Sequence, residues 1–504
     1  MAAPAILLGL DVGRDGLGMV AITGDGKVLA SLRRGYAVDA DGDGGPGASD
    51  WWRAARTGFK ELLRRAELRS DQVRAIGLSG DGDALVAVDR NGDGLATCPA
   101  GADPRFAPFL DEAIKLAGAR NFANLTGSAP TTASGAVKLL WLQANHKRAW
   151  HDCALVLPPK DYLRLRLTGT VGTDATDACA TSLYNPRTRS WSKQLLQLLS
   201  LNHEWLPQVG SGASIAGRVT DGAARDSGLQ SGTPVVTGAG HASALAVAAG
   251  VIDSTSTLVE LGDGGSVFAP TIEPMRDLRG RLRTGCHTLP GLWTLQSDGG
   301  ASSAPLDWIL DQVMPSESAQ ARRNGRPVLE LLAELAAEIP PGADGLVWLP
   351  GSGNTPGGCL GLTRHHGRGH LARAAFEGGA LACRIAVEAA DAVRGGIGQV
   401  VLAGRGASSP LWAQVVADGI GRPVQAITVE EPAAVGAAIL AANAIGHHKV
   451  LADAIKKMAG KRATYSPRRA SADVLAGTAD RLATLRQTWA APPAFEPALI
   501  EAAS

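Results

Sequence analysis

The chain has 504 residues, too many for a single hydrophobic core, so two to four domains are expected. Apolar residues make up 45% of it and charged residues 19%, a globular composition that excludes wholesale disorder. The formal net charge of +1 gives no electrostatic reason to expect nucleic acid or an anionic membrane as a partner.

Neither the cysteines nor the apolar stretches point to export or to a membrane. The six cysteines are scattered without a CxxC pair, which favours reduced thiols over a disulfide or zinc set. No stretch approaches the roughly 20 apolar residues that span a bilayer. The amino terminus lacks the basic lead of a signal peptide and reads as a first strand, so we expect a cytoplasmic protein.

The first predicted element is a buried strand, residues 5–10, which enters the glycine turn of residues 11–16. Residues 19–22 and 28–31 then flank Gly24-Asp25-Gly26, the signature of a hairpin.

A second strand–turn–strand unit follows much later. Residues 257–261 enter the turn Gly262-Asp263-Gly264-Gly265, and residues 266–269 continue as a strand. Both halves open with the same pattern, which is what a duplicated nucleotide-binding lobe would show. We therefore predict an N-terminal lobe of residues 1–247 and a C-terminal lobe of residues 248–504, with a helical tail from about residue 446.

Longer blocks carry a resemblance to a known family. They are residues 138–142 with Asn145, 159–169 with Thr173-Asp174 and Asp177, 361–363 with 370–377, and 402–412. Their content and order resemble the FGGY carbohydrate kinases, and among these the xylulokinases. The resemblance implies an α/β fold of two actin-like, ribonuclease-H-like lobes around a central cleft. It also implies ATP and Mg²⁺ as cofactors, with a small sugar or polyol bound on the first lobe and ATP mostly on the second.

The first phosphate loop departs from the family pattern, which resembles Asp-x-Gly-Thr-Ser with a lysine shortly after. This chain keeps Asp11 and Gly13, but Arg14 and Asp15 replace the hydroxyl residues and Gly18 replaces the lysine. Arg14 could clamp a phosphate with two hydrogen bonds, whereas Asp15 would repel one unless a metal lay between them. Asp11 either holds Mg²⁺ through water or caps the turn at the end of its strand.

The sugar contacts differ as well. Asp81, Gly82 and Asp83 stand where the xylulokinase pattern has glutamine, methionine and histidine, and Gly101-Ala102-Asp103 replaces Trp-Asn-Asp. Asp103 could accept sugar hydroxyls with Arg105 orienting it, while the two new aspartates also fit a solvated turn. Without the aromatic wall, the pocket is not expected to hold a pentulose in the family's pose.

His241 occupies the position of the family's catalytic aspartate. It follows a β-branched run and the turn Gly238-Ala239-Gly240, and small residues able to open a helix come after it. In the family, the carboxylate orients the sugar hydroxyl and takes its proton. Three interpretations stay open for His241: a retained base with a reference pKa near 6.5, a contact for an anion or ligand, and a packed, non-catalytic histidine.

The second phosphate loop resembles Gly-Thr-Ser-Gly in the family. Here Gly262, Gly264 and Gly265 keep the bend, but Asp263 adds a negative charge beside the phosphates. Two like charges 4 Å apart cost about 4 kcal/mol at an effective dielectric constant of about 20, nearly three decades of affinity. The adenosine end of the site is better kept: Gly404, Gly406 and Ala407 can admit a base or ribose, although Arg405 replaces a glycine.

Substitution at four chemical positions, with the framework kept, predicts a xylulokinase-like protein whose phosphotransfer is lost or strongly weakened. Its role would then be binding, scaffolding or regulation, with a protein partner or a homodimer as open alternatives. The competing hypotheses are an active sugar or polyol kinase that uses His241 as its base, and a phosphatase-like or anion-binding protein that uses Arg14 and His241. Nucleotide binding separates the first two.

Overall fold

The computed structural model describes residues 5–36, 45–262, 264–297, 302–351 and 357–488. Asp263, the predicted negative charge of the second phosphate loop, lies outside the described residues. No helix within these ranges is both long enough and apolar enough to cross a membrane.

The strands in chain order are β1 Ile6–Val12, β2 Gly16–Thr23, β3 Val28–Gly35, β4 Val73–Gly80, β5 Leu85–Val88, β6 Gly94–Cys98, β7 Leu155–Leu157, β8 Thr173–Asp174, β9 Tyr184–Asn185, β10 Ser190–Trp191, β11 Val209–Gly210, β12 Ile215–Arg218, β13 Pro234–Val236, β14 Ala239–Gly240, β15 Ser256–Glu260, β16 Val267–Thr271, β17 Arg283–Cys286, β18 Trp293–Ser297, β19 Val347–Leu349, β20 Gly358–Leu360, β21 Gln399–Ala403, β22 Val424–Ile427 and β23 Arg462–Tyr465.

The α-helices are α1 Ala48–Arg65, α2 Ala107–Ala117, α3 Ala119–Thr126, α4 Gly135–Asn145, α5 Lys147–Asp152, α6 Pro159–Thr168, α7 Ala175–Ala180, α8 Lys193–Leu198, α9 Asp221–Ser227, α10 His241–Ala249, α11 Ala304–Trp308, α12 Pro315–Arg323, α13 Val328–Ala337, α14 Arg368–Arg394, α15 Pro410–Ile420, α16 Pro432–Ala444, α17 Leu451–Met458 and α18 Arg469–Thr488. Single turns of 3₁₀-helix occupy Ser70–Gln72, Pro104–Phe106, His203–Trp205, Ala343–Gly345 and Arg405–Ser408, and a π-helical turn occupies Ile309–Val313.

Two seven-stranded sheets form the framework of the described residues. The first has the order β12-β13-β4-β1-β2-β3, with β14 also paired to β4, and the second has the order β17-β18-β16-β15-β21-β22-β23. In each sheet the opening strand lies antiparallel to the next strand in sequence and parallel to a later one. The prediction of an α/β protein with a repeated strand–turn–strand pattern is therefore confirmed. The C-terminal tail contributes a strand as well as helices, because β23 pairs with β22 at the edge of the second sheet.

Two apolar helices, α10 and α16, lie between the sheets. One hydrophobic core joins them to Leu7 of the first sheet and to Leu258 and Val401 of the second. Residues 432–442 of α16 are buried all round, as expected for a helix enclosed on every side. Where α16 meets α10 the backbones approach so closely that a Cβ on Gly436 would lie 1.9 Å from the carbonyl oxygen of Ala244.

A candidate active site with its base position clamped

The carboxyl ends of parallel strands bring the central residues of the cleft together. In the first sheet, Asp11 of β1 is in register with Ser79 of β4, and Ser79 is in register with Ala239 of β14. The chain then turns at Gly240 and begins α10 with His241. In the second sheet, β15 ends at Glu260. Asp11 and Glu260 therefore occupy matching ends of the opening strands in the two sheets, and His241 lies between them.

Both ring nitrogens of His241 are engaged by carboxylates. Nδ1 lies 2.9 Å from Asp11 Oδ2, and Nε2 lies 3.1 Å from Glu260 Oε1. Ser79 donates to the other oxygen of Asp11 at 2.8 Å, and Ser266 donates to the other oxygen of Glu260 at 2.8 Å. The carboxylates are nearly fully buried, whereas 26% of the His241 side chain faces the cleft. His241 therefore ties one lobe to the other.

This arrangement favours the imidazolium form of His241. Burial lowers the pKa of His241, but Asp11 and Glu260 outweigh burial and hold that pKa well above its usual range. Burial likewise raises the pKa of Asp11, and His241 and Ser79 bring it below its ordinary value. The amino end of α10 opposes a cation by about 0.3–1 kcal/mol, whereas a carboxylate about 3 Å away attracts one by about 5 kcal/mol at an effective dielectric constant of 20. The attraction of the carboxylates therefore outweighs the effect of the helix end and favours a positive charge on His241.

Asp81 lies beside this cluster. Its backbone N–H donates to the carbonyl of Val12 at 3.0 Å, which holds the turn after β4 against the end of β1. Burial raises the pKa of Asp81 to about 7, with Asp83 and Asp11 adding to the effect and His241 and Arg14 opposing it. Asp81 thus titrates near neutral pH.

Arg14 points towards the predicted sugar contacts. A Cβ on Gly101 would lie 2.1 Å from Arg14 Nη2, so the guanidinium occupies the space above Gly101, the position where the family pattern has tryptophan. Asp83 Oδ2 accepts from the Gly101 amide at 2.8 Å, and buried Lys138 donates to the Asp83 carbonyl at 2.6 Å. The charged side chain of Arg14 therefore fills part of the pocket. Its role as a phosphate clamp stays a prediction.

Asp103 and Arg105 pair as the sequence suggests they could. Arg105 Nη2 lies 2.7 Å from Asp103 Oδ2, and Asp103 also accepts from the Arg105 amide at 2.8 Å. The carboxylate thereby caps the short 3₁₀ turn that follows it. Arg105 orients Asp103, and the role of Asp103 in holding a sugar hydroxyl stays a prediction.

Sequence reasoning did not identify a buried ionic cluster around Lys160 that supports the cleft. Lys160 Nζ lies 2.8 Å from Asp161 and 3.0 Å from both Asp174 and Asp177. Arg164 adds a contact of 2.9 Å to Asp161. Burial raises the pKa of Asp177 well above its usual range, although Lys160 opposes the shift. The signal in the sequence was the Lys160-Asp161 pair in the first turn of α6, a helix that is mostly buried.

This cluster supports the turn before His241. Asp174 accepts from the Thr176 amide at 2.8 Å, and Thr176 Oγ1 accepts from the Gly240 amide at 2.6 Å. A Cβ on Gly82 would lie 2.3 Å from the Asp177 carboxylate, so Asp177 occupies the space beside this predicted sugar contact.

Glu431 was also missed, since it lies far along the chain at the start of α16. A Cβ on Gly18 would lie 2.0 Å from its carboxylate, so Glu431 occupies the space beside the position of the family's lysine. Arg33 pairs with Glu431 at 3.4 Å. Burial raises the pKa of Glu431, with Arg33 opposing and Asp11 adding to the effect. A carboxylate thus lies beside the position where the family pattern has a lysine.

The remaining predicted phosphate and nucleotide residues form two adjoining turns of the second lobe and one of the first. Gly13 closes its turn by donating to Gly16 at 3.1 Å, and Arg14 and Asp15 are exposed beside it. Gly264 is exposed, Gly265 is buried, and the Gly406 amide donates to the Leu261 carbonyl at 2.8 Å. Arg405 is exposed, Ala407 is buried, and Gly404 adopts a φ of 94°. The nucleotide roles of these residues stay predictions.

The residues present do not fit a triphosphate in the manner that the family pattern implies. Gly18, with the Glu431 carboxylate beside it, stands where the pattern has its lysine, and Arg14 and Asp15 stand where it has hydroxyl residues. Asp11, the predicted Mg²⁺ contact, already holds Ser79 and His241 through its two oxygens. Among the described residues no group of three or more His, Cys, Asp or Glu side chains has the geometry of a metal site.

The N-terminal domain of the FGGY family of carbohydrate kinases matches residues 6–248, and its C-terminal domain matches residues 259–445. The chain belongs to the FGGY family of carbohydrate kinases. It is 26% identical to xylulose kinase of Staphylococcus epidermidis over 93% of this chain and 94% of that one. It is 28% identical to xylulose kinase of Escherichia coli over 92% and 96% of the two chains.

The same relationship holds in three dimensions. The crystal structure of xylulose kinase from Rhodospirillum rubrum superposes with a TM-score of 0.80 at 27% identity, covering 96% of this chain and 98% of that one. The actin-like, two-lobed architecture implied by the sequence resemblance is thereby confirmed.

Proposed function

We propose that this FGGY homologue has lost most or all of its phosphotransfer activity and acts as a binding, scaffold or regulatory protein. The observation that carries the proposal is the clamp on His241, whose two nitrogens face Asp11 and Glu260. A general base needs an unprotonated atom aimed at the hydroxyl whose proton it takes. An imidazolium with both N–H groups directed at carboxylates offers none.

The acid beside the position of the family's lysine supports the same proposal. Phosphoryl transfer depends on positioning the phosphates and neutralising their charge. Gly18 supplies no cation there, and the Glu431 carboxylate occupies the space beside it. The loss therefore concerns binding of the triphosphate as well as the base.

Turnover is the first test. A coupled assay of ADP release with xylulose, ribulose, glycerol and related polyols should give rates at background, with an active xylulose kinase as positive control. A turnover number of about 1 s⁻¹ or more lies in the usual range for kinases. Such a rate would overturn the proposal in favour of an active sugar or polyol kinase, and loss of that rate in His241→Gln would then assign His241 as its base.

Restoration experiments separate a lost base from lost nucleotide binding. General bases typically contribute 10²–10⁴-fold, so His241→Asp alone should revive turnover if the base were the only loss. We expect it not to. The triple variant, which adds Asp15→Ser and Asp263→Thr, should show stabilisation by Mg-ATP before it shows any transfer to sugar. His151→Asp, at an exposed histidine, is the matched control. Robust kinase activity in the single variant would contradict the proposal.

A further inference from the structure

Two cysteines that are far apart in sequence meet across the lobes. Cys179 lies in α7 of the N-terminal domain, and Cys286 ends β17 of the C-terminal domain's sheet. Cys179 packs against the small buried cluster that contains Cys286, and each thiol shifts the pKa of the other. The scattered spacing of the cysteines, which favoured isolated reduced thiols, gives no sign of this contact.

The surroundings of the pair make the two sulfurs differ in exposure and in pKa. Both contribute to a small apolar cluster with Ala178, Tyr184 and Trp293, in which Cys286 is fully buried and Cys179 is partly exposed. The hydrogen bond from Cys179 lowers the pKa of Cys286; burial opposes this and nearby Arg189 assists it. Its bond with Cys286, together with burial, raises the pKa of Cys179 well above its ordinary value. Cys286, which also donates to the Pro186 carbonyl at 3.8 Å, is therefore the sulfur whose pKa is lowered, and Cys179 is the sulfur that a small oxidant can reach.

We propose that Cys179 and Cys286 form a reversible disulfide that ties the two lobes together when the protein meets a peroxide. This is a modification site separate from the cleft chemistry, and it does not depend on whether phosphotransfer survives. The two sulfurs pack in one cluster although they belong to different lobes, and Cys179 is partly exposed, so a small oxidant can reach one sulfur with the other beside it.

The chemistry proceeds in two balanced steps. Cys179 passes its proton to the neighbouring Cys286 sulfur, and the Cys179 thiolate so formed attacks one peroxide oxygen. The O–O bond breaks, the departing hydroxide takes a proton from solvent, and Cys179 is then a sulfenic acid. Cys286 gives its proton back to solvent and attacks the Cys179 sulfur as the thiolate, the S–O bond breaks, and the second hydroxide takes a proton from solvent. In sum, two thiols and one hydrogen peroxide give one disulfide and two waters. Dithiothreitol reverses the reaction by thiol–disulfide exchange.

Thiol counting and peptide mapping test the proposal on the full chain. The reduced protein, once denatured, should show six titratable thiols. The protein treated with hydrogen peroxide, freed of excess peroxide and then denatured, should show four. Trypsin digestion without reductant should link the peptide of residues 167–187 to that of residues 284–322. Dithiothreitol should release the two peptides and restore six thiols.

Three variants make the outcome decisive. Cys179→Ser and Cys286→Ala should each abolish the linked peptide, and Cys179→Ser changes the partly exposed member of the pair, which limits damage to the core. Cys359→Ser, at another partly exposed thiol, should leave the linkage intact. Six titratable thiols in the peroxide-treated wild type, or a linkage between other cysteines, would overturn the proposal.

Discussion

At the scale of single residues, His241 shows how one side chain changes the charge balance of the cleft. An aspartate at this position would add a third negative charge beside Asp11 and Glu260, whereas histidine joins the two carboxylates that are present. Removing one partner from a buried ionic cluster leaves the others uncompensated, which is the costly case. His241 therefore stabilises the contact between the two carboxylates, and the loss of its part as a base stays a proposal.

We expect His241→Gln to destabilise the protein by about 2 kcal/mol at pH 6, less than a fully buried pair would lose because His241 is partly exposed. The folded-state pKa of His241 is raised, so the stabilisation is fully present below the unfolded value near 6.5 and is lost as pH rises through the folded value. Urea unfolding of wild type and variant at pH 6 and pH 9 measures this. An equal difference at both pH values would contradict it.

Substitution of Asp81 should change the stability in the opposite direction to substitution of His241. The pKa of Asp81 is about 7 in the folded protein and near 3.9 when unfolded, so stability from this group is lost as pH rises from about 4 to 7. Asp81→Asn should therefore stabilise the protein by about 1 kcal/mol at pH 8, a figure reduced for partial exposure, and leave it unchanged at pH 4. Asp226→Asn, at an exposed aspartate, is the control. Thermal melting at both pH values decides, and a gain at pH 4 would be the contrary result.

At the scale of elements, α10 and α16 depend on glycine for their close approach. Gly436→Ala should destabilise the protein by about 3 kcal/mol, because the new methyl group would meet the Ala244 carbonyl and neither helix backbone can withdraw. Gly477→Ala in α18 has no atom within 4 Å of its new Cβ and should stabilise the helix by up to about 1 kcal/mol. The measurement is the midpoint of urea unfolding. Equal effects of the two substitutions would refute the close-packing argument.

The elements also show how far the sequence could predict the structure. Both strand–turn–strand units and the helix after Gly240 follow local patterns, so the sequence predicts them. The clamp on His241 was not predictable, because Glu260 reaches it only once the two lobes are placed face to face. The contacts of Glu431 with Gly18 and of Cys179 with Cys286 arise in the same way. Local spacing carries no information on contacts between lobes.

At the scale of the whole molecule, the two sheets share one core through α10 and α16. Neither lobe can lose these helices without exposing an apolar face, so we expect the chain to unfold in one cooperative transition despite its length. The midpoints from tryptophan fluorescence and from far-ultraviolet circular dichroism should coincide, and Gly436→Ala should lower both together. Two separated transitions would show that the lobes unfold independently.

The position of Asp177 limits which residues can occupy position 82. A Cβ on Gly82 would lie 2.3 Å from the Asp177 carboxylate, and Lys160 lies 3.0 Å from that carboxylate. A larger side chain at residue 82 therefore requires Asp177 or the backbone around residue 82 to move, and moving Asp177 disturbs the buried ionic cluster. Because Asp177 belongs to a block that resembles the xylulokinases, room for their methionine at this position depends on the path of the turn as well as on the side chain. We therefore expect that replacing Gly82 alone does not rebuild the family's sugar contact.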